Sequence, residues 1–125
     1  MLPSLAVVVH AHDFLTRRHR LRSHRNEALI ADALHQAAEL AGDHSEDEPA
    51  ALLFALSVRG TALGDGWETV PWLLAQNHAR TLGFLLYCPE GERDTLVDLR
   101  LQVAQRRGTF EQVRAWVAAH LRPLR

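Results

Sequence analysis

The sequence predicts an all-α protein, a single compact bundle of six helices with at most a tiny hairpin. In six segments, apolar residues recur at the three- and four-residue spacing of one helix face. Capping residues, prolines and glycines stand at the boundaries of these segments. Only residues 84–87 have the composition of a short strand. The 125 residues suffice to bury one core, so we expect one domain over residues 1–125.

Three helices are expected in the first half of the chain. The first places His12 on its apolar side, although the β-branched run at residues 7–9 also suits a short strand. The third is apolar on most sides, and we expect it at the centre of the fold. Capping or helix-ending residues mark the boundaries: Ser4, Asn26, Gly42, Pro49 and Gly60.

Three further helices follow a loop with three glycines. Pro71 fits the first turn of a helix, so the fourth helix should begin near Thr69 or Val70. Asp94 is placed to cap the fifth helix, and Thr109 with Gln112 forms a capping box for the sixth. Gly83 and Gly108 mark helix ends.

Composition limits the classes of function. The formal net charge of −1 gives no overall attraction to nucleic acid or membranes. All 14 basic residues are arginines, which excludes a lysine nucleophile or Schiff base. The single cysteine, Cys88, reads as a packing residue and suits a reducing cytoplasm. We expect a cytoplasmic protein with no secretory signal and no membrane span.

Residues 56–83 contain the most informative stretch. A glycine-rich turn that enters a helix can bind an anion through backbone N–H groups, which makes Gly64 and Gly66, with Arg59 and Arg80, candidate phosphate ligands. The alternative is that these glycines only serve a turn. Asp65 is either a weak candidate metal ligand or a helix cap. The eight histidines show no helical H-x-x-x-H pair, and we expect most of them at the surface or at caps.

A basic segment at residues 17–25 offers a second candidate. It contains five arginines: Arg17, Arg18, Arg20, Arg22 and Arg25. Such a segment can contact a phosphate backbone, or it can be a solvated connection between helices. No aromatic residue lies between the arginines to stack on a base, which argues against single-strand binding.

Residues 59–69, R-G-T-A-L-G-D-G-W-E-T, resemble the core loop of the Fic/Doc (Fido) family, chiefly its short death-on-curing toxins. The family loop reads roughly H-x-F-x-D-(G/A)-N-K-R-T-A and joins two helices. The flanks are similar as well, since residues 9–13, 27–34, 80–84 and 96–121 resemble the family's surrounding helices in order. The resemblance implies a Fic/Doc-like helical bundle.

The contents of the loop depart from the family motif. Asp65 and Gly66 match the acidic metal ligand and its neighbour. Thr61 stands at the position of the histidine base, and threonine does not titrate near neutral pH. Trp67, Glu68 and Thr69 replace the asparagine, lysine and arginine that hold phosphates. A carboxylate in place of a cation costs about 4 kcal/mol at ~4 Å and an effective dielectric of about 20.

The resemblance therefore implies a pseudoenzyme, without transferase activity or cofactor, that binds a protein partner or a second copy of itself. A bacterial toxin–antitoxin role is the setting it suggests, with Trp67 as the expected anchor. One alternative is an active nucleotidyl or phosphoryl transferase that uses ATP and Mg²⁺. It would recruit His78 or His10 as base, Asp65 for the metal, and Arg59 or Arg80 for phosphates. The other alternative is nucleic-acid binding through the basic segment.

Overall fold

A computed structural model describes residues 1–124, in which six α-helices and one two-stranded sheet confirm the all-α class. The helices are α1 (Leu5–Arg18), α2 (Glu27–Ala41), α3 (Glu48–Val58), α4 (Thr69–Thr81), α5 (Arg93–Ala104) and α6 (Phe110–His120). Short 3₁₀ turns precede α3, α4 and α5 at Ser45–Asp47, Gly60–Gly66 and Glu90–Glu92.

The helix ends follow the local chemistry of the sequence. The Ser4 hydroxyl accepts a hydrogen bond from the Val7 N–H at 3.3 Å, so residues 7–9 are helical and not a strand. The capping box of Thr109 forms as expected. The expected cap at Asp94 is wrong by two positions. The preceding 3₁₀ turn runs directly into α5 at Arg93, which leaves Asp94 in the first turn of that helix.

Helix α3 lies at the centre of the fold, as its apolar composition predicts, and separates two clusters of buried side chains. The first cluster joins α1, α2, α3 and α4 with the glycine loop, and the second joins α3, α4, α5, α6 and the sheet. Within α3, Leu52 and Leu56 face the first cluster and Leu53 faces the second. One helix therefore contributes to both halves of the core.

The expected extended piece at residues 84–87 is a strand, β1 (Phe84–Leu86). It pairs antiparallel with β2 (Leu121–Pro123), so that Leu86 is opposite Leu121. Leu86 is buried in the second cluster. This pairing fixes the end of α6 against the connection that follows α4.

Among residues 1–124, no helix has both the length and the apolar character needed to cross a membrane.

Candidate functional site

The glycine loop, Gly60–Gly66, is a packed part of the core. Ala62 and Leu63 are fully buried, and Gly66 is buried beneath them. The chain reverses at Gly64, which has φ 55° and ψ −130°, a conformation that favours glycine. A Cβ atom on Gly66 would lie 3.0 Å from Val70 and 3.4 Å from both His12 and Thr16. The absent side chain of Gly66 lets α1 and α4 approach the loop.

The connection between α1 and α2 lies directly over this loop. The Asn26 N–H donates a 2.8 Å hydrogen bond to the Ala62 carbonyl, and the Arg22 N–H donates a 3.2 Å bond to Asp65 Oδ2. A Cβ atom on Gly64 would lie only 2.8 Å from the His24 carbonyl oxygen. The chain's own backbone therefore occupies the space in front of Gly64. The Asp65 carboxylate is held by the connection.

His12 is a central contact of the loop that the expectation of surface histidines missed. Its side chain is fully buried, and Nε2 lies 2.9 Å from the Leu63 carbonyl oxygen. The Thr16 hydroxyl donates a 2.7 Å hydrogen bond to the His12 carbonyl. In the sequence, the position of His12 among the apolar residues of α1 was the signal that its side chain is buried. His12 fixes the loop against α1.

The candidate phosphate ligands do not converge. Arg59 Nη1 donates to Gln36 Oε1 on α2. Arg80 lies exposed near the end of α4, beside a groove described below. Thr61, which the resemblance places at the base position, is exposed. Arg59 is therefore bound to α2 and Arg80 lies at the groove, so neither arginine joins Gly64 and Gly66 in one phosphate site.

The histidines of the transferase alternative occupy different environments. His78 is 6 % exposed, and its Nε2 lies 2.7 Å from Glu48 Oε1. Burial acts to raise the pKa of Glu48, but hydrogen bonds from His78 and from the N-terminal ammonium outweigh it and place the pKa below its ordinary value. His10 lies exposed on α1 and faces the same groove as Arg80.

The basic segment contains one arginine that is already neutralised. Arg25 Nη1 lies 2.5 Å from Asp13 Oδ1, and Arg25 Nε lies 3.1 Å from Glu27 Oε2. The hydrogen bond from Arg25 lowers the pKa of the Asp13 carboxyl. The four remaining arginines are exposed: Arg17, Arg18, Arg20 and Arg22. Nucleic-acid binding through this segment would have fewer cations than the sequence suggested.

Trp67, the expected partner anchor, is half-buried and packs against the first core cluster. Its carbonyl accepts a 2.9 Å hydrogen bond from Arg100 Nη2, and the Arg100 guanidinium lies 6.0 Å from the centre of its ring. The environment of Trp67 is that of a packing residue. Glu68 is exposed and Thr69 half-buried, and both line a cavity between α4 and α5.

A groove lies between α1 and α4, beside several of the sequence candidates. It has a volume of about 560 Å³, and Leu85 of β1 contributes to its lining. Val7 and Phe14, on α1, are 51 % and 53 % exposed, and Leu85 is 37 % exposed. Polar side chains at its edge include His10, Asn77 and Arg80. We call this surface the α1–α4 groove.

Among residues 1–124, no three His, Cys, Asp or Glu side chains group together as ligands for a metal ion. The Asp65 carboxylate accepts a hydrogen bond from the Arg22 backbone N–H. Comparison of the chain with protein-family models, with curated proteins and with solved structures finds no match.

Proposed function

We propose that this chain is a degenerate relative of the Fic/Doc proteins that has no transferase activity and acts by binding a protein partner in the α1–α4 groove. The single observation that supports binding is the exposed apolar lining of that groove. The single cysteine suits the cytoplasm as its compartment.

The filled glycine loop supports the absence of transferase activity. Transfer of a nucleotide needs donors that converge on the phosphates. Here the His24 carbonyl oxygen lies against Gly64, and the Asp65 carboxylate accepts a hydrogen bond from the connection between α1 and α2. The His24 carbonyl presents an acceptor where a phosphate would require donors, and the hydrogen bond from Arg22 ties Asp65 to the connection. Opening the loop would require moving that connection.

The spacing of the groove residues supports a helical partner. Val7, Ala11 and Phe14 stand at positions i, i+4 and i+7 of α1, which makes a continuous apolar stripe on its exposed side. An amphipathic helix laid into such a groove buries its own apolar stripe against it. Phe14 is the aromatic residue of this stripe. It is therefore the anchor in this proposal, in place of Trp67.

The positive charge at the edge of the groove favours an amphipathic helix that has acidic residues. Arg80 is exposed and has no carboxylate within 4.0 Å among residues 1–124. His10 lies on the opposite wall, on α1. We propose a partner helix with a carboxylate beside its apolar stripe. In the toxin–antitoxin setting that the resemblance suggests, this helix belongs to a companion protein.

The experiment is a selection of displayed peptides that tile the proteins encoded beside this gene and in the rest of its genome. The selected peptides are then titrated against wild type, Phe14→Asp and a matched control, Leu101→Asp. Leu101 is 37 % exposed on α5, away from the groove. We expect amphipathic, acidic helices whose affinity falls at least about tenfold with Phe14→Asp and stays unchanged with Leu101→Asp.

Three outcomes would overturn the proposal. One is that no peptide depends on Phe14. Another is that Leu101→Asp weakens binding as much as Phe14→Asp does. The third is a concentration-dependent dimer of the wild type that Phe14→Asp abolishes, because a second copy of the chain would then be the occupant of the groove.

A further inference from the structure

Arg100 is a buried cation without an ion pair among residues 1–124. Its side chain is 5 % exposed on α5, in the middle of the helix. Nη2 donates to the Trp67 carbonyl, while Nε is buried and has no hydrogen-bond partner within residues 1–124. No carboxylate of this part of the chain lies within 4.0 Å of the guanidinium. Burial lowers the pKa of Arg100 to about 10, and nearby Glu68 offsets part of that effect.

Such a side chain is costly to the fold unless something else compensates it. Buried arginines normally pair with carboxylates, because a guanidinium loses its hydration on burial. Here the Trp67 carbonyl, the face of the Trp67 ring and the Glu68 carboxylate beyond ion-pair distance are the compensation that the described chain supplies. Nη2 is the one Arg100 donor with a hydrogen-bond partner within residues 1–124, which leaves Nη1 as the terminal nitrogen that a group from outside the chain could reach.

Arg100 lies in the wall of a cavity between α4 and α5, which we call the Arg100 cavity. Its volume is about 530 Å³, enough for a small organic molecule. Apolar side chains form much of the wall: Trp72, Leu73, Leu96 and Val97. A second cation, Arg93, lines the same cavity and has no ion pair among the described residues.

The other charged lining groups leave a positive balance. Glu68 is the single carboxylate among the lining residues, against Arg93 and Arg100. His19 also lines the cavity, and its imidazole ring can donate a hydrogen bond. The Tyr87 hydroxyl is an additional polar group in the lining. One anionic group on a ligand would therefore bring the cavity close to neutrality.

We propose that the Arg100 cavity binds a small organic acid, with its carboxylate at Arg100 and Arg93 and its apolar body against Trp72, Leu96 and Val97. The planar guanidinium fork matches a carboxylate in two parallel hydrogen bonds. The apolar walls favour an acid with an aromatic or aliphatic body over inorganic phosphate. This site is separate from the partner proposal, although Leu73 and Gln76 of α4 line both the cavity and the α1–α4 groove.

The test uses phenylacetate as probe and its neutral analogue phenylacetamide as the matched ligand control. Binding to ¹⁵N-labelled protein is followed by NMR chemical-shift titration. We expect phenylacetate to shift the amides around residues 68–72 and 96–100 with a dissociation constant of about 1 mM. Phenylacetamide and inorganic phosphate should bind at least about tenfold more weakly.

Three variants test the assignment of the site. Arg100→Met replaces the cation with an apolar side chain of similar length. We expect this variant to bind phenylacetate at least about tenfold more weakly. Val97→Trp leaves the Arg100 side chain in place and fills the cavity from its 37 % exposed rim, one helical turn from Arg100, and should block binding as well. The control is Arg107→Met, which removes an exposed arginine after α5 and should leave affinity unchanged.

The proposal fails if phenylacetate causes no saturable shifts, or if phenylacetamide or phosphate binds as tightly. It also fails if a folded Arg100→Met variant retains wild-type affinity. If Arg100→Met does not fold, the Val97→Trp variant tests the proposal instead. Phenylacetate binding that is unchanged in Val97→Trp would show that the Arg100 cavity is not the binding site.

Discussion

The contact between Gly64 and the connection over the loop predicts an unequal cost of two glycine substitutions. Gly42 and Gly64 have nearly the same backbone conformation, with φ 53° and ψ −126° at the first and φ 55° and ψ −130° at the second. A Cβ atom on Gly42 would meet nothing within 4 Å, whereas one on Gly64 would lie 2.8 Å from the His24 carbonyl oxygen. Gly42→Ala is therefore a control for backbone strain alone.

Backbone strain and the contact with residue 24 together set the expected loss of stability in each variant. Forcing an alanine into this region of φ and ψ costs about 1–3 kcal/mol, and both variants have that cost. At Gly64 the backbone of residue 24 must also move by roughly 0.5 Å, which adds about 1–3 kcal/mol of overpacking. We expect the free energy of unfolding to fall by about 2 kcal/mol in Gly42→Ala and by about 4 kcal/mol in Gly64→Ala.

Urea denaturation followed by circular dichroism measures both values, since the midpoint reports stability when the slope is unchanged. Equal destabilisation of the two variants would refute the reasoning, because the connection would then not be held against the loop. A smaller loss in Gly64→Ala than in Gly42→Ala would refute it more strongly.

Two further predictions concern buried charges. The folded-state pKa of Glu48 lies below its ordinary 4.5, so its carboxylate stabilises the fold above that pH, and the contribution is lost as the pH falls through the folded pKa. Glu48→Gln should thus lose about 1–2 kcal/mol of unfolding free energy at neutral pH and progressively less in acid. A pH-independent loss would contradict the role of the His78 contact. Arg100→Met should be more stable than wild type by about 1–2 kcal/mol in thermal or urea unfolding, because a desolvated cation is removed. A clear loss of stability would make Arg100 a structural residue instead.

Local chemistry made most of the fold predictable. The six helices, the capping box of Thr109 and the start of α4 two residues before Pro71 depend on neighbouring residues, and the structure confirms them. Strand β2 was missed, because Leu121–Pro123 follows α6 directly and pairs with β1 more than thirty residues away. Tertiary pairing of so short a segment has no local signal.

The candidate site was less predictable for a related reason. Gly64 and Gly66 have the composition of a phosphate-binding turn, but residues about forty positions earlier in the chain determine what lies against them. Arg100 was not singled out, because an arginine within a helix usually faces solvent. Its spacing from Leu96 and Val103, four and three residues away, places it on the buried side of α5. That spacing was a signal that the sequence did contain.

The resemblance to the Fic/Doc loop remains a prediction. The resemblance places Asp65 at the motif's metal ligand and Thr61 at the motif's base, and both positions can be tested by substitution. Residues 22 and 26 of the connection between α1 and α2 donate hydrogen bonds to the loop, and this covering is the basis of the proposal that the loop binds no nucleotide.

Calorimetric titration with ATP and Mg²⁺ tests most directly the central claim that the glycine loop is closed to nucleotides. We predict no saturable heat at millimolar nucleotide, in the wild type and in Asp65→Asn alike. A saturable one-to-one heat that Asp65→Asn abolishes and Arg100→Met leaves intact would contradict the account, because it would place a nucleotide site at the loop.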